Sequence, residues 1–254
     1  MLELCRTDAF PLHVRPLTDV APLAETHGLT FAVDGKALVD QVDLSLPADT
    51  FTVIMGPNGA GKSLLVRLLH GLIPPSAGEI RWGGRPMSPD IRKRQAMVFQ
   101  RPVLLRRSVA GNIDFVLRLR GAANQERRRE ILELIGLRER ERQPARLLSG
   151  GEQQRLALGR ALATGPEVLF LDEATASLDP ASVLMIEQIV AKVRTEQGVK
   201  VMFITHDLGQ ARRLADDVAF MHRGKLVEHT LAERFFTQPA SRAARDYVAG
   251  RIVL

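Results

Sequence analysis

The chain has 254 residues, 45% of them hydrophobic and 25% charged, with 35 Lys and Arg against 29 Asp and Glu for a formal charge of +6. This composition excludes a disordered, collagen-like or low-complexity polypeptide and allows one large α/β domain or two small ones. The basic residues are spread along the chain, and Arg127-Arg128-Arg129, flanked by Glu126 and Glu130, reads as a solvated helix face, so charge gives no reason to expect a nucleic-acid partner.

Residues 1–24 hold Pro11, Pro16 and Pro22 without a continuous apolar core, which predicts a loose N-terminal extension rather than a secretory signal or transit helix. Cys5 is the single cysteine, so a disulfide or a Cys-based zinc site within the chain is excluded and a reducing cytosol fits. From residue 25 short apolar runs alternate with helical patterns. The runs at 51–55, 96–99, 168–171 and 201–205 predict strands, and residues 64–72 predict a helix after the first. Helical patterns at 108–120, 125–136 and 152–163 interrupt the sheet and predict a helical subdomain over about 100–164. Helices at 180–197 and 207–215, a hairpin around Arg223-Gly224 and a helical tail from Leu231 with a break at Pro239 complete the series. The alternation predicts an α/β fold with a largely parallel sheet, residues 25–254 forming one domain. No apolar run approaches the ~20 residues that cross a bilayer.

Gly56-Pro57-Asn58-Gly59-Ala60-Gly61-Lys62-Ser63 stands between the strand at 51–55 and the helix at 64–72. Strand, glycine loop and helix in that order make a phosphate-binding loop. The glycines let backbone N–H groups turn toward phosphate oxygens, Lys62 reaches the β- and γ-phosphates, and the Ser63 hydroxyl suits Mg²⁺. The strand at 168–171 delivers Asp172 and Glu173 at its C-terminal end, where open α/β sheets bind ligands. Neighbouring strand residues face opposite ways, so the two carboxylates divide the work: Asp172 holds the metal through water, and Glu173 orients or deprotonates the attacking water. Leu148-Ser149-Gly150-Gly151-Glu152-Gln153-Gln154-Arg155 opens a further helix, and Ser149 with the two glycines can serve as a plain N-cap or as a second anion-binding terminus.

With this octad the sequence resembles the ATP-binding-cassette ATPase family, whose signature reads Leu-Ser-Gly-Gly-Gln; Glu152 stands where Gln is commonest. The resemblance covers about 25–239 and implies the P-loop NTPase core of that family with an inserted helical subdomain, ATP and Mg²⁺ as cofactors, and ATP hydrolysis. It implies that Gln100 senses the metal and the attacking water, that His206 lies near the γ-phosphate, and that Ser177-Leu178-Asp179 forms a loop crossing between protomers. It also implies a head-to-tail dimer in which Ser149, Gly150 and Gly151 close over the partner's nucleotide. Adenine usually stacks on an aromatic residue where the alignment places Val33; Phe31, two positions earlier, is the expected contact.

Further partners follow from the resemblance: a transmembrane permease driven through the segment 100–107, an extracytoplasmic solute-binding protein, and a peripheral place on the cytoplasmic face of the membrane. The stretches Gly61-Lys62-Ser63-Leu64-Leu65 with Leu68-Leu69-His70-Gly71, and 100–108, look most like the ATP-binding subunit of tungstate and related oxyanion importers. The chain stopping soon after Pro239 suggests a minimal import-type unit. The alternatives are import of phosphate or an amino acid, and a stand-alone cassette ATPase in cofactor assembly or nucleic-acid metabolism.

Overall fold

The computed structural model describes residues 22–252. The expected extension lies outside these residues up to residue 21, and the chain is already in a strand at Ala24. Strands β1 (Ala24–Val33) and β2 (Lys36–Leu46) form a hairpin, and β3 (Phe51–Met55) leads through the glycine loop into α1 (Lys62–His70). β4 (Ala77–Trp82), β5 (Arg85–Pro86), α2 (Pro89–Lys93) and β6 (Gln95–Val98) follow. The helical lobe comprises α3 (Val109–Leu119), α4 (Gln125–Leu134) and α5 (Gly150–Leu162). Then come β7 (Val168–Asp172), α6 (Pro180–Gln197), β8 (Lys200–Ile204), α7 (Leu208–Leu214), β9 (Asp217–His222), β10 (Lys225–Leu231), α8 (Ala232–Thr237) and α9 (Arg242–Val248).

Among the described residues there are two sheets, not one. The six-stranded sheet runs β10-β9-β3-β8-β7-β6 and is parallel except for its β10 edge; the four-stranded sheet runs β2-β1-β4-β5 and is antiparallel. β3, β7 and β8 are buried at every position, as strands covered on both faces must be. Their side chains alternate between two cores. Val53, Met55, Leu169, Leu171, Val201 and Phe203 face the helical lobe and the C-terminal helices. Ile54, Val168, Phe170, Met202 and Ile204 face Leu65, Leu68 and Leu69 of α1 and the antiparallel sheet beyond it. α1 is therefore clamped between two sheets, which fixes the phosphate loop at its head.

A charged cluster is buried in the six-stranded sheet at β3, β8 and β9. Lys200 Nζ donates to Thr50 O at 2.6 Å and Thr52 Oγ1 at 2.8 Å, Thr52 Oγ1 donates to Asp217 Oδ1 at 3.0 Å, and His229 Nε2 meets Asp217 Oδ2 at 2.5 Å. Burial lowers the Lys200 pKa to about 8 even though Asp217 and Asp216 pull it up.

Candidate nucleotide site

Most helices in this chain supply their own cap. Among the described residues, α2, α3, α4, α5, α6, α7 and α9 start on Ser, Asn or Asp whose side chain accepts a first-turn N–H. α1 starts on Gly61, in the left-handed conformation at φ 97° with no side-chain cap. Its leading N–H groups are left for an external acceptor, at the positive end of the helix. The loop before it is held from outside. A β-carbon at Gly56 (φ +142°) would stand 2.1 Å from Met221 O, and one at Gly61 would stand 2.7 Å from Leu38 O. Gly224 N donates to Ala60 O at 3.1 Å, and Gly224 O accepts from Asp40 N at 2.8 Å, so the β9–β10 turn and β2 both brace the loop. Gly59 also takes positive φ, in open space. With Asn58 and Ala60, these glycines form a cradle of backbone N–H groups suited to phosphate, and Pro57 fixes the bend of the loop without contributing an N–H.

Lys62 is buried, and Nζ donates to Gly56 O at 2.8 Å and Pro57 O at 3.0 Å, with Glu173 Oε1 at 4.0 Å. Burial lowers its pKa, opposed by the Glu173 and Asp172 carboxylates. Ser63 Oγ donates to Asp172 Oδ1 at 2.6 Å. Two hard oxygen donors side by side at the phosphate end fit Mg²⁺, which commonly takes one or two protein oxygens and completes its shell with phosphate and water. Among the described residues no group of three or more His, Cys, Asp or Glu could hold a metal, and Mg²⁺ in such a site needs none. Arg67 Nη2 lies 3.7 Å from Asp172 Oδ2. The sequence reading missed Arg67, although it stands at i+4 from Ser63 on the same helix face.

Glu173 follows the last residue of β7 at φ +49°, a left-handed conformation costing about 1–3 kcal/mol for a non-glycine residue. It shares the wall of a cavity of about 210 Å³ with His206, which sits exposed after β8. Gln100 is exposed just beyond β6. Its segment is bolted to the helical lobe: Gln154 Nε2 of α5 donates to Phe99 O at 2.9 Å, and buried Asn112 of α3 binds Leu105 N at 2.9 Å and Leu105 O at 3.2 Å. Gln154 and Asn112 were not legible as site residues, because their partners are backbone atoms, 55 residues away for Gln154 and across an irregular loop for Asn112, which no side-chain pattern marks.

The signature residues stand apart from this group. Ser149 caps α5: Ser149 Oγ accepts from Glu152 N at 3.3 Å, and Glu152 Oε2 accepts from Ser149 N at 2.8 Å. A hydroxyl that accepts still has its proton to donate, so cap and anion contact are compatible. Arg140 Nε holds Glu152 Oε1 at 3.0 Å, so the carboxylate that replaces the common Gln has a charged partner. Ser149 and Gly150 are exposed, whereas Gly151 is buried against α6, where Asp179 Oδ1 and Oδ2 accept from Ser182 N at 3.0 Å and Ser182 Oγ at 2.6 Å. Asp179 thus caps α6, with Pro180 as the first helical residue. Phe31 is half-buried against the core beside α1, while Val33 at the end of β1 is 45% exposed. β1 shifts register between Phe31 and Ala32, and Phe31 pairs with Val39, next to the Leu38 carbonyl that abuts Gly61.

A phosphate cradle, a Ser–Asp pair for a divalent cation and a carboxylate at the end of a parallel strand define a P-loop nucleotide hydrolase carrying an inserted helical lobe. The family model described as ABC transporter matches residues 39–176. Phosphate import ATP-binding protein PstB 1 of Vibrio parahaemolyticus is 34% identical over 260 residues, 95% of this chain and 95% of its own length. Methionine import ATP-binding protein MetN of Caulobacter vibrioides is 38% identical over 230 residues, 86% of this chain and 69% of the relative. Among solved structures, cbiO1 from Clostridium perfringens, part of the ABC transporter complex cbiONQ, gives a TM-score of 0.77 at 27% identity over 86% of this chain and 92% of that one. The ATP-binding cassette MJ0796, in a dimeric post-hydrolysis state bound to ADP and Pi, gives 0.74 at 27% identity over 82% and 98%. The chain belongs to the ABC transporter family as an ATP-binding, ATP-hydrolysing member. Among the described residues no helix is long and apolar enough to cross a membrane.

Proposed function

We propose that this ATPase energises import of a solute through a separate transmembrane permease, working as a head-to-tail dimer on the cytoplasmic face of the membrane. The observation that carries the reading is the division of the apparatus. Lys62, Ser63, Asp172 and Glu173 form one group, while Ser149 and Gly150, exposed at the start of α5, stand apart from it, and Ser149 makes its hydrogen bonds within its own helix start. A second copy supplies the missing half of each site. The full-length likeness to a phosphate import ATP-binding protein and the dimeric likeness with ADP and Pi support the same reading.

In this assignment the loop Gly56–Ser63 and Lys62 hold the phosphates, Ser63, Gln100 and Asp172 hold Mg²⁺, and Phe31 faces adenine. Bound Mg²⁺ neutralises charge on the phosphate oxygens. Glu173 takes a proton from the water that attacks the γ-phosphorus as the bond to the β,γ-bridging oxygen breaks and ADP leaves, His206 steadies the γ-phosphate, and Ser149, Gly150, Gly151 and Asp179 of the partner close the site. The segment 100–107, tied to α3 and α5, carries the motion to the permease, with an extracytoplasmic solute-binding protein delivering cargo.

For the cargo we propose an oxyanion. The stretches around Lys62 and Gln100 favour tungstate, and the PstB 1 likeness favours phosphate of the same tetrahedral class. The 38% identity to a methionine importer keeps an amino acid as the competing reading. The test is affinity capture of this chain with its permease, reconstitution with candidate binding proteins, and ATPase stimulation by tungstate, molybdate, sulfate, phosphate and methionine. Stimulation by an oxyanion supports the proposal; stimulation by methionine alone overturns the cargo, and capture without any permease overturns transport.

A further inference from the structure

We propose that Gln210 is a positioning residue for the hydrolytic step, tying the loop that carries Glu173 to the helix that follows His206. The inference rests on the roles assigned above to Glu173 and His206. Gln210 lies on α7, only 1% exposed, and both ends of its amide are committed. Arg213 of the same helix donates to Glu187 of α6, Nε to Oε2 at 3.1 Å and Nη2 to Oε1 at 2.7 Å, so both oxygens of the buried Glu187 carboxylate serve as acceptors. It can only accept, which obliges Gln210 Nε2 to donate to it, at 3.0 Å. Gln210 Oε1 is thereby aimed the other way, at Thr175 Oγ1, which donates to it at 3.1 Å.

The chain Arg213–Glu187–Gln210–Thr175 ends in the middle of a loop with two left-handed non-glycine residues, Glu173 at φ +49° and Ser177 at φ +64°. Such a loop needs an outside tie to keep its geometry. At the other end, Gln210 N donates to Asp207 Oδ1 at 2.9 Å and Asp207 N to Thr205 Oγ1 at 3.0 Å, which fixes the turn holding His206. Gln210 and Thr175 also line the cavity that Glu173 and His206 share. One buried amide therefore sets the spacing between the carboxylate that handles water and the histidine opposite it.

The test measures kcat, KM for ATP and equilibrium ATP binding on the full chain. Gln210→Leu and Thr175→Val are each expected to lower kcat about 10-fold or more with ATP affinity within about 2-fold, since neither touches the phosphate loop; the double variant should be no worse than the worse single one. Gln210→Glu places a second carboxylate against Glu187, near Arg213 and Asp207, with Glu173 and His206 across the cavity. The new pair can keep the bond only while it shares a proton, so kcat should fall with rising pH along a limb absent from the wild type. A merely structural role would lower the melting temperature and the yield without adding that limb. Wild-type kcat in Gln210→Leu and Thr175→Val, or a Gln210→Glu profile superimposable on wild type, overturns the tie. Glu173→Gln in the same assay separates the two readings: if it retains turnover, the role of Glu173 falls and this proposal with it; if it is inactive, the outcome at Gln210 stands by itself.

Discussion

Replacing Gly151 by alanine tests how the signature helix is seated. The added methyl would stand 2.1 Å from Ser182 Oγ and 2.7 Å from Ser182 Cβ, so one element must give by more than an ångström to reach ordinary contact. Ser182 is not free to yield, because its Oγ and N both bind the Asp179 carboxylate. Overpacking of this kind costs about 1–3 kcal/mol, and a displaced Asp179 cap adds about 1 kcal/mol. At roughly 2–4 °C per kcal/mol for a chain of this size, Gly151→Ala should melt roughly 4–16 °C below wild type by calorimetry. ATP affinity should be unchanged, since the phosphate loop is untouched, and, if the proposed head-to-tail dimer holds, turnover should fall about 10-fold or more as Ser149 is displaced. Adding Ser182→Gly removes both clashing atoms and leaves only Asp179 Oδ2 at 3.8 Å, so the double variant should regain most of the loss, less about 1 kcal/mol for glycine in the first turn of α6. A single variant melting within about 1 °C of wild type, or a double variant no more stable than the single, would refute this reasoning.

Gly56→Ala puts a methyl 2.1 Å from the Met221 carbonyl oxygen, so fluorescent-nucleotide titration should show ATP affinity reduced about 100-fold; wild-type affinity would mean the loop does not need its brace. Ser149→Arg mixed with Lys62→Ala should give heterodimers with one doubly damaged site and one intact site, and activity above either parent in the mixture is the expected result. Lys200 ionises in the fold near pH 8 but unfolded near 10.5, so between those values the unfolded chain binds the extra proton and stability rises with pH, by about 1–3 kcal/mol at most. Denaturant midpoints from pH 7 to 10 should show that rise in wild type and lose it in Lys200→Met; equal slopes would assign it elsewhere.

The phosphate loop was legible because its chemistry is contiguous: a strand, a glycine run and a helix start suffice. The six-stranded sheet was legible because its strands are unbroken apolar runs. The antiparallel sheet was not. In β2, Val42, Leu44 and Leu46 alternate with Asp43 and Ser45, but Gln41 at φ +47° breaks the period, and β1 shifts register three times between Thr26 and Ala32. Its strands are recognisable only by their pairing. The same holds for Arg67, Asn112, Gln154 and Gln210, whose partners are fixed by packing rather than by spacing. Ser149 and Asp179 could be read locally as caps, and they are caps; both are exposed, as the proposed contact with a partner's nucleotide requires.

The brace of Gly224 against the phosphate loop changes what the β9–β10 turn can tolerate. A short surface turn between antiparallel strands is ordinarily the safest place to insert a tag, a reporter or a circular-permutation junction. Here a β-carbon at Gly224 would stand 2.9 Å from Leu38 O, and its own N–H already serves Ala60. Sequence changes at 222–224 should therefore segregate with phosphate-loop defects rather than with surface variants, although more than 160 positions separate them from Ala60. Fusions and variant libraries are better opened at Ala123, exposed in the connection between α3 and α4.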